Sequence, residues 1–389
     1  MKKMNKLFIV VLGVLLTMAL MNCQNNPVHN EEKVPEGYEK EVGTLLFDEE
    51  EYSSYYNYCP SYFIEDGVAH VYYCTNPGSG LPHDHIAYRR GVKVKGEWYW
   101  SPKTIVLYLG VIGEWDSGNV CDPDVIKGSF NYNNENYKYL MTYLGCTTVD
   151  NSSNSFGFAV SNAPEGPWIK VVSSVSPLYD FYQYNPGYVY KPGVNSFIWG
   201  SGQSSLISID KAGKVLLFYT GGTASTYGQT AESWDFSDLN NPVRLWQKSM
   251  SARGIYTLDG KQDFITNAQL VYDAERKIFY MLCDDHPFDT VVEPTNIPYS
   301  TRVVSTFDYM SETMGDCFRN SRLEWLQLHS IGIEDTGFPR NSNTCFVRDP
   351  YGWLIDTKNV DVIYTSCLTG SDWRVIYTFR LHRINVKLY

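Results

Sequence analysis

The sequence predicts an all-β fold, a five-bladed β-propeller with four antiparallel strands per blade. Three observations carry this. One grammar recurs five times, at intervals of roughly 60–80 residues: an apolar strand, a polar turn, then a hydrophobic strand ending in aromatics. Each interval leaves room for two more short strands, and strand-like runs occupy it. No long amphipathic helix interrupts the pattern. Closing five such units radially leaves no long exposed sheet edge. A pair of packed sandwich domains is the alternative arrangement of the same strands.

The first unit runs Tyr62–Ile64, a turn at Glu65-Asp66-Gly67, then His70–Tyr73, with Ile86–Arg90 and Trp98–Leu107 after it. The second has Asp122-Pro123-Asp124, an Asn-rich turn (Asn131, Asn133, Asn134, Asn136) and Tyr137–Tyr143, then Phe156–Ser161 and Trp168–Val172. Asn favours such turns because it tolerates positive φ and bonds its own backbone. The third is Ser205–Ile209, Asp210–Gly213 and Val215–Thr220, followed by Thr230–Trp234 and Val243–Lys248. The fourth is Ala268–Tyr272, Asp273–Arg276 and Lys277–Leu282. The fifth is Thr344–Val347, a turn at Asp349–Gly352, and Asp361–Ser366. Val42–Phe47 is strand-like and lies outside the units; it is expected to pair with the last blade and close the ring.

Composition agrees. The 389 residues are 43% hydrophobic and 15% aromatic, with 31 Tyr, which suits strands better than helices. The net charge of −11, more negative still without Lys2, Lys3 and Lys6, argues against a nucleic-acid partner. Those lysines precede a short apolar run, Leu7–Met21, and then Asn22-Cys23. This reads as a signal peptide over 1–22, and Leu20-Met21-Asn22-Cys23 resembles a bacterial lipobox of the Bacteroidetes lipoprotein type, which implies Cys23 as the lipidated residue. The alternative is an ordinary secretory signal cleaved nearby. A polar tether follows over 23–41, and the propeller domain over 42–389. The expected location is the outer membrane, on the periplasmic side or the cell surface, with a lipid anchor as the membrane contact. The chain is expected to be a monomer. Of nine cysteines, Cys59 and Cys74 flank one hairpin turn symmetrically, and Cys121 and Cys146 flank another. Each pair can face across its hairpin as a disulfide or as small buried apolar residues.

On a propeller, the loops leading into the inner strands share one face with those joining second and third strands. The first set supplies Tyr58, Trp115, Asp116, Asp122, Tyr182, Tyr184, Gln203, Asn267, Arg340 and Asn343. The second supplies His83, Asp84 and His85, then Asp284, Asp285 and His286. Asp66, Asn133, Asp349 and Glu165 fall on the far face. Carboxylates, His and aromatics converging on one pocket suit a sugar, whose C–H face stacks on rings and whose hydroxyls bond carboxylates. The sequence has no G-x-S-x-G, no phosphate-cradling G-x-x-x-x-G-K and no H-E-x-x-H. Asp122 is the principal candidate, with Asp84 and Asp285 as its catalytic partners. His85, Trp115, Gln203, Asn267, His286, Arg340 and Asn343 are candidate sugar-binding residues. Asp122 can equally cap a turn, and Gln203, Asn267 and Asn343 can equally satisfy backbone at the ring's mouth.

Cys121–Ile126, Tyr139–Tyr143, Phe158–Ser161 and Gly166-Pro167-Trp168 together resemble the second-blade pattern of glycoside hydrolase family 43 and its five-bladed relatives. The resemblance covers roughly residues 55–250 and loosens beyond them. It implies three axial acids: a general base, a pKa-modulating Asp and a general-acid Glu. Asp122 matches an inner-strand Asp. The first-blade position reads Tyr58-Cys59-Pro60, without a carboxylate, and the third reads Gly202-Gln203-Ser204-Ser205, without the Glu. Either Asp84, Asp285 or Asp116 is recruited, or the site binds glycan without cleaving it. No cofactor is required; an axial Ca²⁺ or water can fill the channel.

Overall fold

The computed structural model describes residues 33–48, 55–76, 83–148, 153–172, 176–178, 199–223, 226–249, 254–263, 265, 267–285, 301–306, 324–368 and 373–388. Cys23 and the predicted signal lie outside them, as do Tyr182, Tyr184 and His286. Among the described residues no helix is long and apolar enough to cross a membrane.

The strands form five sheets, arranged as the blades of a propeller. Blade one contains β1 (Glu39–Lys40), β2 (Asn57–Glu65), β3 (Val68–Thr75), β4 (His85–Val94), β5 (Glu97–Trp100) and β6 (Thr104–Leu107), with β2 innermost. Blade two is β7 (Asn119–Tyr132), β8 (Glu135–Cys146), β9 (Ser155–Ser161) and β10 (Ile169–Lys170). Blade three is β11 (Gly200–Ser208), β12 (Lys214–Thr223), β13 (Thr226–Asp235) and β14 (Val243–Ser249). Blade four holds β15 (Ile255–Tyr256), β16 (Gln262–Asp263), β17 (Gln269–Asp273), β18 (Ile278–Asp284), β19 (Thr301–Thr306) and β20 (Trp325–Ile331). Blade five is β21 (Arg340–Phe346), β22 (Val360–Cys367) and β23 (Arg380–Val386).

The second strands β3, β8, β18 and β22 read as near-continuous apolar runs because both their faces are buried, whereas the outer strand β14 is mostly exposed. Successive inner-strand residues alternate between neighbours. Tyr62 packs with Cys345, Ile363 and Leu381 of blade five, and Phe63 with Val125 and Met141 of blade two. Leu206 faces Ile126 and Leu140 of blade two, and Ile207 faces Leu270 and Met281 of blade four. Val271 and Leu282 meet Phe346 and Val362. Each of these five clusters lies between two adjacent blades.

Closure occurs as the sequence leads one to expect. Leu45 bridges His382, Leu46 N–H donates to Leu381 O (3.1 Å), and Arg383 N–H donates to Thr44 O (2.7 Å). Residues 44–46 thus add a fourth row to blade five. The polar stretch before them is also structured at its end: β1 pairs with Tyr99–Trp100 of β5, and Glu41 pairs with Arg383 at 3.0 Å.

The axis is built around Asp124 and Arg348. Asp124 accepts from Ser61 Oγ (2.8 Å), Leu206 N–H (2.7 Å), Gln269 Nε2 (3.3 Å) and the Arg348 guanidinium, so blades one, three, four and five all meet on a carboxylate of blade two. The chain after Arg348 then crosses the far end of the axis. Arg348 O accepts from Ile64 N–H, Pro350 O from Lys127, Tyr351 O from Ser208 and Gly352 O from Tyr272, which ties this segment to the inner strands of blades one to four.

Candidate active site at the mouth of the ring

Each inner strand begins with the same irregularity. In four blades two residues oppose one across the first hairpin: Cys59-Pro60, Asp122-Pro123, Gln203-Ser204 and Asn343-Thr344 are the bulged pairs. The first member of each has positive φ (48°, 46°, 51° and 45°), and Asn267, just before β17, has the same backbone at 54°. A bulge inserts one extra residue and re-aims its side chain. Here it turns one side chain per blade to the mouth of the axis. The resulting rim is Cys59, Asp122, Gln203, Asn267 and Asn343. A cleft opens between them, lined also by Asp124, Ser204, Gln269 and Thr344. A second shares Cys59, Asp122, Gln203 and Asn343 and extends past Tyr58 to Trp199. Left-handed backbone costs on the order of 1 kcal/mol or more at a non-Gly residue, least at Asn and Asp, and gathers at functional sites.

Two residues beyond four of the five rim positions stands a strut to the next blade. Ser61 Oγ accepts Val125 N–H (3.2 Å), Asp124 accepts Leu206 N–H, Ser205 Oγ accepts Leu270 N–H (3.0 Å), and Gln269 Oε1 accepts Phe346 N–H (2.7 Å). Rim and strut are therefore separate side chains on one strand.

Asp122 is the one carboxylate on the rim. Burial, with Asp84 nearby, pushes its carboxyl up to about 6, against the opposing hydrogen bond with the Cys59 thiol. Asp84 is 3% exposed and accepts from the hydroxyls of Tyr56 and Tyr58, the latter at 2.7 Å. Burial raises it too, and the two phenols counter that rise. A third acid completes the group, and it is Asp284 rather than Asp285. Asp284 ends β18, is 6% exposed, and accepts from Asn267 Nδ2 at 3.1 Å. Burial pushes it up to about 7; the Asn267 amide and Asn343 N–H moderate this, while Asp285 and Asp122 add to it. The choice between adjacent acids turns on where the strand ends. Its alternation puts Cys283 and Asp284 on opposite sides, and Asp285 already lies in the loop beyond.

The remaining candidates separate clearly. Gln203, Asn267 and Asn343 line the cavity as expected, and Gln203 Oε1 also accepts Asn267 N–H at 2.9 Å, so it bonds backbone as well. His85 is half-buried beside the site, edge-on to Tyr108 (5.7 Å), with Nδ1 3.3 Å from His83 O. Trp115 does not line the cavity: it stacks on Tyr143 at 5.3 Å and lies close over Gly145 and Gly157, because those glycines leave room for an indole. Asp116 pairs with Lys170 (2.6 Å) and accepts from Tyr143 (3.0 Å). Arg340 is buried at the start of β21, away from the cavity lining. Neither cross-hairpin cysteine pair forms. The bulge shifts the ladder so that Cys74 opposes Tyr58 and Cys121 opposes Leu144. The disulfide joins Cys74 to Cys121, across the blade one–blade two boundary, leaving Cys59 and Cys146 as thiols.

These features define a five-bladed propeller with an acidic, partly buried site at one end of its axis. No protein-family model matches the sequence, and no curated protein does. The fold is similar to that of Zg3597, a family 117 glycoside hydrolase produced by the marine bacterium Zobellia galactanivorans, with TM-score 0.53 and 11% identity over 90% of this chain and 89% of that one. It is similar also to a family 62 hydrolase solved in complex with xylotriose, with TM-score 0.53 and 10% identity over 93% of this chain and 100% of that one. A family 43 enzyme from Xanthomonas citri aligns at TM-score 0.48 and 12% identity, over 86% and 89% of the two chains. At such identities the likeness is one of fold.

Proposed function

We propose that this protein is an exported, lipid-anchored glycoside hydrolase that binds oligosaccharide or polysaccharide at the rim and cleaves it by acid/base chemistry. The observation that carries this reading is the pairing of Asp122, the rim's one carboxylate, with Asp284, a buried acid whose carboxyl Asp122 helps to raise. Two acids in unlike surroundings are the usual basis for splitting proton-donor and proton-acceptor roles. Asp284, buried and held by the Asn267 amide and Asn343 N–H, keeps its proton near neutral pH and donates it to the glycosidic oxygen. Asp122, on the rim, takes the proton of the attacking water. Asp84, fixed by two tyrosines, adds negative charge beside Asp122 without leaving its own hydrogen bonds. Asn267 and Asn343 offer amides to sugar hydroxyls. Export and anchoring rest on the basic and apolar leader with Cys23; Cys23→Ala is expected to move the protein from the membrane fraction to the soluble one.

The second reading is a glycan-binding propeller without hydrolysis. It is favoured by the four uncharged rim side chains, with Cys59 and Gln203 standing where the family 43 pattern places acids. A panel of aryl-glycosides and plant oligosaccharides, assayed with wild type, Asp122→Asn and Asp284→Asn, separates the two. Turnover lost in both variants, with circular dichroism unchanged, supports the hydrolase. No turnover by wild type, with calorimetric sugar binding weakened by Asp122→Asn, supports the binding protein.

A further inference from the structure

Three cysteines and one carboxylate converge at one sector of the rim. The donor atoms of Cys59, Cys74, Cys121 and Asp122 all lie within 4.8 Å of one another. We propose that, once the Cys74–Cys121 bond is reduced, these four side chains form a site for one thiophilic divalent cation, Zn²⁺. The proposal does not rest on the glycosidase reading, although both use Asp122, and it is tested without sugar.

Coordination arithmetic favours the site. Zinc holds thiolates at about 2.3 Å and carboxylate oxygen at about 2.0–2.2 Å in a tetrahedron, so ligand atoms stand roughly 3.5–3.8 Å apart. The four donors need to move by little more than a bond rotation each. Cys74 and Cys121, whose Cα atoms are 5.2 Å apart, part from bonded contact to that distance. Cys59 and Asp122 start their approach from equivalent bulges in adjacent blades, which hold both side chains toward the same point. One hydrogen-bond donor already faces the sulfurs: Asp122 N–H lies 3.0 Å from Cys74 Sγ. Such a contact orients and stabilises a metal-bound thiolate. The cavity that reaches Tyr58 and Trp199 is lined by Cys59, Cys121 and Asp122, so a cation has a way in. Soft sulfur donors select zinc over the hard cations that prefer all-oxygen sites.

The chemistry balances with a phosphine reductant. The phosphine attacks one sulfur of Cys74–Cys121, the S–S bond breaks, and water supplies one oxygen to the phosphine oxide and one proton to each sulfur. Zinc then displaces the three thiol protons and binds Asp122 as carboxylate. With the disulfide intact, only Cys59 and Asp122 remain as ligands, which is too few for a closed site.

The test uses the full folded chain, with zinc and cobalt(II) as probes. Protein with and without phosphine treatment is loaded with Zn²⁺, desalted, and its metal measured by plasma mass spectrometry, with circular dichroism recorded on each sample. Reduced wild type is expected to retain about one zinc per chain, and oxidised wild type about tenfold less. Reduced Cys59→Ser and Asp122→Asn, which leave the disulfide cysteines in place, are expected to fall at least about tenfold in affinity. Cobalt is expected to give a thiolate-to-metal charge-transfer band in the reduced wild type alone. Retention of zinc by reduced Cys59→Ser equal to wild type overturns the proposal. So does a disulfide that yields to phosphine only when the chain unfolds.

Discussion

Replacing Asp124 by Ala removes the carboxylate on which the blades meet. In the folded chain it is 2% exposed, while Arg348 is wholly buried. The other Arg348 donors reach only carbonyls: Leu206 O at 3.1 Å, Val125 O at 3.3 Å and Leu270 O at 3.4 Å. The substitution therefore leaves a guanidinium charge in the interior without a counter-ion, and it strands the Leu206 N–H. Removing one partner of a buried ion pair costs about 3–5 kcal/mol, and an unsatisfied buried donor about 1–3 kcal/mol. The two overlap in space, so the expected loss is about 4–6 kcal/mol, much of the stability of an ordinary domain. Asp124→Leu combined with Arg348→Met removes both charges together and is expected to lose at least about 2 kcal/mol less than Asp124→Ala. Guanidinium unfolding followed by tryptophan fluorescence, with the disulfide intact and slopes compared between variants, measures both. An Asp124→Ala protein within about 1 kcal/mol of wild type refutes the reasoning, as does a double variant no better than the single one.

Other outcomes follow from single features. Burial holds Asp284 protonated up to about 7 in the folded chain, whereas the unfolded chain releases that proton near pH 4. Its contribution to stability is present below that point and is lost as pH rises through about 7, so the melting temperature of Asp284→Asn is expected to gain on wild type from pH 4 to 8. His70 and His382 show the opposite sign: burial lowers them to about 3 and about 4, so their contribution is present above about pH 6.5 and lost below it. His382→Gln should therefore flatten the acid limb of the stability profile. Gly200 has φ +97°, and a Cβ there would stand 2.2 Å from Asn154 O. Gly200→Ala is expected to cost about 2–4 kcal/mol in denaturant unfolding, whereas Gly43→Ala, with nothing within 4 Å of its Cβ, should cost only about 1 kcal/mol of backbone strain.

The blades were legible because hairpin turns, aromatic strands and the lack of a long amphipathic helical pattern all point the same way. The closing segment was legible because Val42–Phe47 carries a strand pattern with no partner of its own. The bulges were not, since alternation does not show where two residues will face one. That one hidden shift moved Cys59 out of register with Cys74 and sent the disulfide between blades. Asp284 was placed on the right face but passed over for Asp285 for a related reason: two acids stand side by side there, and only the strand's true end decides which one reaches the site. Arg348 carried a usable signal, a cation placed directly after the apolar Cys345-Phe346-Val347, but the turn beside it points to the far face instead.

The separation of rim from strut has an evolutionary consequence. Fold maintenance is vested largely in Ser61, Asp124, Ser205 and Gln269, while the residue two places earlier on each strand is left to meet whatever enters the cavity. A lineage can thus exchange the five rim positions almost like tiles in a mosaic, trading acid for thiol or amide, while the propeller keeps its shape. Cys59 and Gln203 sit on tiles of that kind, and a neighbouring strut holds the ring together whichever chemistry they carry.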